Sequence, residues 1–113
     1  MNIQKFTQKS LQAIEGCEKL AHEYGNQEIE QEHLLYSLLT LEDSLILKLV
    51  EKMEIQKEHF LKRAQQAVAK RTKVQGGKPY VGKDLNAVLI TGEDEAKQLG
   101  DEYVSVEHLF LAM

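Results

Sequence analysis

Gly25-Asn26-Gln27-Glu28-Ile29-Glu30-Gln31-Glu32-His33-Leu34 and Gly100-Asp101-Glu102-Tyr103-Val104-Ser105-Val106-Glu107-His108-Leu109 follow one pattern, 75 residues apart. In each, a glycine fits the left-handed position that ends a helix. In each, Glu-His-Leu then opens the next helix. A shift of 75 aligns the two halves of the chain without a gap, with Ala21 on Ala96, Ile29 on Val104 and Leu35 on Phe110. Between 16–38 and 91–113, six of 23 positions are identical. The chain is therefore read as a duplication, which decides the architecture before any single helix does.

Outward from this pattern the periodicity is helical. Thr7 fits an N-cap, and its counterpart Gly82 is also compatible with a helix start. Leu11, Ile14, Cys17, Ala21 and Tyr24 recur every three or four residues and predict one apolar stripe up to Gly25. A second helix is expected from about Gln31 to Leu41, with Leu34, Leu35, Leu38 and Leu39 inward. A third carries Leu45, Ile46, Leu49, Val50 and Met53. A fourth carries Phe60, Leu61, Ala64, Ala67 and Val68, and ends near Arg71, where Lys70 and Arg71 suit the negative end of a helix dipole. The only proline, Pro79, lies with three of the seven glycines in a linker over 75–82. Beyond it, Val88, Leu89, Ala96 and Leu99 mark a fifth helix that stops at Gly100, and Ser105 caps a sixth. No period-two strand longer than a few residues is expected. The fold class is all-α, a pseudo-two-fold duplication of a four-helix repeat with the second repeat truncated. Repeat one is 1–74 and partial repeat two 83–113. A truncated second repeat should leave an apolar face uncovered, so self-association or partner contact over that face is expected.

Composition bounds the function. The 113 residues fit one domain, with 42% hydrophobic and 28% charged residues and a net charge of −4. That charge disfavours nucleic acid, whose phosphates need a basic face. Lys70-Arg71-Thr72-Lys73 reads as a solvated helix end. One cysteine excludes an internal disulfide and suits a reducing compartment. No apolar run approaches the ~20 residues of a membrane span, and no signal peptide is recognisable, so the expected location is cytoplasmic.

Catalytic and metal chemistry find no support. Gly77-Lys78-Pro79-Tyr80-Val81-Gly82-Lys83 matches the start of a P-loop, but Asp84 replaces the Ser or Thr that holds magnesium, and no apolar strand precedes it. His33 and His108 read as helix-start histidines satisfied locally. His22 and His59 have no metal-ligand spacing. Cys17, on the buried stripe, reads as a packed thiol. Glu32 and Glu107, in the first turns of their helices, either complement the dipole or hold basic and polar parts of a bound peptide.

Phe6-Thr7, Gly25-Asn26-Gln27-Glu28-Ile29 with Glu32-His33-Leu34-Leu35, Gly77-Lys78-Pro79-Tyr80-Val81 and Glu107-His108-Leu109-Phe110 together resemble the Clp N-terminal repeat domain, in wording closest to the ClpB-type disaggregases. The resemblance covers essentially the whole chain. It implies the N-terminal, non-enzymatic domain of a hexameric AAA+ chaperone that captures unfolded or aggregated polypeptide, with ATP and magnesium held on other domains. It implies substrate handling at Thr7, Asp101 and Glu107. Relatives of the ClpC type bind adaptor proteins and phosphoarginine, with acidic residues at the Glu32 and Glu107 positions. Those relatives typically carry Gly-Thr before Glu-His, where this chain has Glu30-Gln31 and Ser105-Val106. A groove between the pseudo-symmetric helix pairs could take an extended apolar segment, with Leu89, Ile90 and Tyr103 as lining residues. Each copy should bind weakly, and six in a ring would supply avidity. The isolated domain is expected as a monomer or weak self-associate.

Overall fold

The computed structural model describes residues 3–74 and 77–113. Its helices are α1 (Gln8–Glu23), α2 (Gln31–Thr40), α3 (Leu45–Lys52), α4 (Lys57–Ala69), α5 (Lys83–Gln98) and α6 (Val106–Ala112). Two two-residue strands, β1 (Glu28–Ile29) and β2 (Tyr80–Val81), pair in parallel. A 3₁₀ turn at Ile3–Lys5 precedes α1.

The duplication is visible in the packing. α1 lies on α2 as α5 lies on α6, and each pair crosses to the other through α1–α6 and α2–α5. Gly25 and Gly100 both adopt left-handed backbone, at φ 69° and 74°, and end α1 and α5 as their shared place in the pattern requires. The halves also exchange short pairings. Ile29 pairs with Val81, and 75 positions away in each partner, Phe6 bridges Val104 in parallel. Thr7 N–H donates to the Val104 carbonyl and Gly82 N–H to the Ile29 carbonyl, each at 2.9 Å. Each half therefore binds the entry strand of the other.

The helices bury what their sequences offer, with three corrections. On α1 the deepest positions are Ser10, Ala13, Cys17 and Ala21. Leu11, Ile14 and Tyr24 flank them half-buried. Small residues let α2 approach closely: Ser37 Oγ donates to the Ala13 carbonyl at 2.7 Å, and a Cβ at Gly16 would fall 2.4 Å from Ser37 Oγ. On α3, Ile46 and Val50 are core, whereas Leu45 and Met53, expected inward, are exposed. An eight-residue helix at the edge of the bundle turns only one narrow face inward. Leu99, expected to close the α5 stripe, is 60% exposed. No described helix lies where α4 covers Tyr24, its counterpart. The two strands, of two residues each, are too short to show alternation, in keeping with the expectation of no longer strand. β2 falls in the linker, of which Gln75 and Gly76 lie outside the described residues.

Candidate functional site

Thr7 and Glu107 are 100 positions apart in sequence and line one groove of about 370 Å³. Its walls come from the first residues of α1, the α2–α3 turn with Leu41, Asp43 and Leu45, and Ser105–Val106 at the head of α6. Three helices, α1, α3 and α6, begin at this groove. The N–H groups of a first helical turn lack intrahelical acceptors and carry the positive end of the dipole. Caps satisfy some of them: Thr7 Oγ1 accepts from Ser10 N–H at 3.2 Å, and Ser44 Oγ from Leu47 N–H at 3.1 Å. Leu45, 44% exposed, supplies apolar surface. Glu42, Asp43 and Glu107 put negative charge on the rim, and Lys9 reaches across to donate to the Glu42 carbonyl at 3.1 Å. A larger hollow of about 590 Å³ lies between the outer face of α1 (Glu15, Glu18, Lys19, His22) and Gly77–Pro79. None of the candidate residues lines it.

The remaining candidates lie elsewhere. Asp101 faces a separate small cleft beside Lys5 and Glu102. There its carboxylate accepts from His108 Nε2 at 2.8 Å, while His108 Nδ1 accepts from Ser105 N–H at 2.9 Å. Glu32 is bonded by the Arg71 guanidinium, which also approaches Glu28 at 3.9 Å. Leu89 is 2% exposed and belongs to the core, so it offers a ligand no surface. Ile90 and Tyr103 are each 51% exposed, outside the residues that line the groove. Sequence reasoning missed Leu45 and Asp43 as groove residues, because Leu45 reads as core by periodicity and a turn aspartate reads as a turn. Asp43 adopts φ 54°, left-handed backbone at the groove edge that aspartate tolerates better than most residues.

The segment that resembled a P-loop has other work. Tyr80 N–H donates to the Gln27 carbonyl and Gly82 N–H to the Ile29 carbonyl, both at 2.9 Å. The Glu30 carboxylate sits on Gly82, where it would repel a phosphate. Among the described residues no three His, Cys, Asp or Glu side chains converge for a metal, and no helix is long and apolar enough to cross a membrane.

The chain is 41% identical to the chaperone protein ClpB of Nitratidesulfovibrio vulgaris, over all of this chain and 14% of that one. The chain thus spans about one-seventh of that relative's length. In fold it is similar to the Hsp104 N-terminal domain of Candida albicans, with TM-score 0.87, 21% identity, and 96% of this chain and 72% of that one covered. It is similar in fold also to a ClpV N-domain solved in complex with a VipB peptide, with TM-score 0.78, 22% identity, and 97% and 68% covered. Residues 5–113 match the family described as the Clp repeat (R) N-terminal domain, and the chain belongs to that family.

Proposed function

We propose that this chain is the substrate-receiving N-terminal domain of a ClpB-type ATP-dependent chaperone, and that it binds exposed segments of unfolded or aggregated polypeptide for an AAA+ motor on other domains. The observation that carries this reading is the single groove where Thr7, Leu45 and Glu107 meet at three helix starts. Backbone carbonyls are common to every polypeptide, and helix N-termini bind them without regard to sequence. Leu45 would take an apolar side chain, and the acidic rim a neighbouring lysine or arginine. That pairing suits unfolded chains, which expose both. Binding per domain would be weak, and a hexamer in the cytoplasm would multiply it. The ClpV N-domain seen with a peptide supports polypeptide as the ligand class.

The alternative, adaptor docking or phosphoarginine recognition of the ClpC type, is less well supported. It calls on Glu32, which Arg71 of this same chain already holds. Fluorescence-anisotropy titration with a labelled, permanently unfolded protein tests the proposal, in parallel with free phosphoarginine. Thr7→Ala and Glu107→Ala should each weaken capture several-fold with the helical CD spectrum intact. Saturable binding of phosphoarginine with no binding of the unfolded protein would sink it.

A further inference from the structure

The two halves differ in how the first helix of each is capped. In the first half, Thr7 caps α1 with its own side chain. Its counterpart Gly82 has no side chain to offer α5. The acceptor comes instead from the other half: the Glu30 carboxylate, at the head of α2, accepts from Leu85 N–H at 3.4 Å. Leu85 is the counterpart of Ser10, the amide that Thr7 caps. Glu30 is 7% exposed. A Cβ at Gly82 would lie 1.9 Å from Glu30 Oε1 and 2.5 Å from its carboxyl carbon. The Gly82 backbone is extended, at φ −74° and ψ 168°, so this glycine provides space and not an unusual turn. Ser105, the counterpart of Glu30, meets His108 Nδ1 at 3.0 Å, inside its own half. The charged groups acting on Glu30 are Asp84 of α5, Arg71 beyond α4 and Glu28 of β1. His33 of α2 accepts from its backbone N–H.

We propose that Glu30 and Gly82 form a one-sided latch: the first half supplies the N-cap of α5, so the α5–α6 unit that carries Glu107 is held by a side chain of the other half. When the latch opens, the head of α5 frays while α1, capped by Thr7, stays closed. The absent Cβ at Gly82 and the buried Glu30 are then two parts of one device, and changing either should change the need for the other.

Amide hydrogen exchange of Leu85, followed by NMR in the 113-residue chain with Ser10 as internal reference, tests this. Glu30→Ala should speed Leu85 exchange about fivefold or more relative to Ser10, and Glu30→Gln, which keeps an acceptor oxygen, should stay within about threefold of the parent. Gly82→Ser alone should also speed exchange, because it collides with Glu30. Combined with Glu30→Ala it should restore protection by supplying a local cap. Unchanged Leu85 exchange in Glu30→Ala overturns the latch. If Glu30→Ala does not fold, recovery of the folded spectrum in the double variant supports the latch, and failure to recover overturns it.

Discussion

His33 and His108 recur because each ring bridges a backbone N–H at the head of its helix and the side chain seven residues earlier. In the first half Asn26 Nδ2 donates to the Thr72 carbonyl at 3.0 Å, which orients its amide. Asn26 Oδ1 then faces His33 Nε2, and His33 Nδ1 accepts from Glu30 N–H, both at 2.9 Å. This network assigns the neutral tautomer with hydrogen on Nε2, since a proton on Nδ1 would confront the Glu30 N–H. In the second half Asp101 replaces the amide. Asp101 therefore has a structural task separate from any contact with substrate. Asp101→Ala should cost about 1–2 kcal/mol in urea denaturation by leaving the buried His108 without its acceptor, whereas Asp101→Asn should cost under about 0.5 kcal/mol. A loss of capture seen with Ala and absent with Asn would point to the histidine and not to substrate. Cys17 is a second case with a clear outcome. Burial pushes its thiol up to about 12, with its Sγ donating to the Ala13 carbonyl at 3.2 Å. The native chain should react with iodoacetamide only after unfolding, so labelling at the rate of a free thiol at neutral pH would contradict the packed geometry.

Helix starts are where the elements of this protein differ from one another. Thr7→Ala removes the cap on Ser10 N–H and should cost about 1 kcal/mol, while Thr7→Ser should retain most of it. Comparing capture by the two variants at matched stability separates the cap from a role in binding. The head of α2 carries two titrating groups with opposite signs. Burial raises the Glu30 carboxyl above its ordinary 4.5. Burial, with Arg71 adding to it, lowers the His33 imidazole below its ordinary 6.5. A raised carboxyl keeps its proton longer when folded, so its contribution is full below pH 4.5 and is lost as pH rises through the folded value. A lowered imidazole resists protonation when folded, so its contribution is full above pH 6.5 and is lost as pH falls through the folded value. The Glu30 slope begins at pH 4.5 and runs upward, and the His33 slope begins at pH 6.5 and runs downward. Glu30→Gln removes the negative slope, so stability of the variant relative to the parent should rise as pH increases above 4.5. Chemical denaturation at pH 4.5, 5.5 and 6.5 measures it, and parallel curves for parent and variant would show that Glu30 does not titrate there.

At the scale of the molecule the two halves are unequal. In the first, α4 packs on α2, Tyr24 hydroxyl meets Gln65 of α4 at 3.4 Å, and Leu38 is fully buried. The counterparts Leu99 and Met113 are 60% and 37% exposed, and Leu111 is 60% exposed. Such a surface should associate. Sedimentation of the 113-residue chain should show a concentration-dependent rise in mass, which Leu99→Ser with Leu111→Ser should reduce. A single monomeric species up to millimolar concentration would refute this. The sequence by itself determined the duplication, the helices and their stops, because a glycine at a helix end, a capping residue and a 3.6-residue period act locally and leave local marks. It also placed Thr7 and Glu107 among the candidates, through their resemblance to a family pattern. Only the tertiary structure decided that these two share a groove with Leu45 while Asp101 serves His108 and Arg71 occupies Glu32. The exchange of strands between halves, the burial of Leu89 and the seating of Glu30 on Gly82 were decided there too. These depend on distances between residues far apart in the chain. Close approach across a seam selects small or absent side chains, and a glycine kept for space looks in sequence like any other glycine.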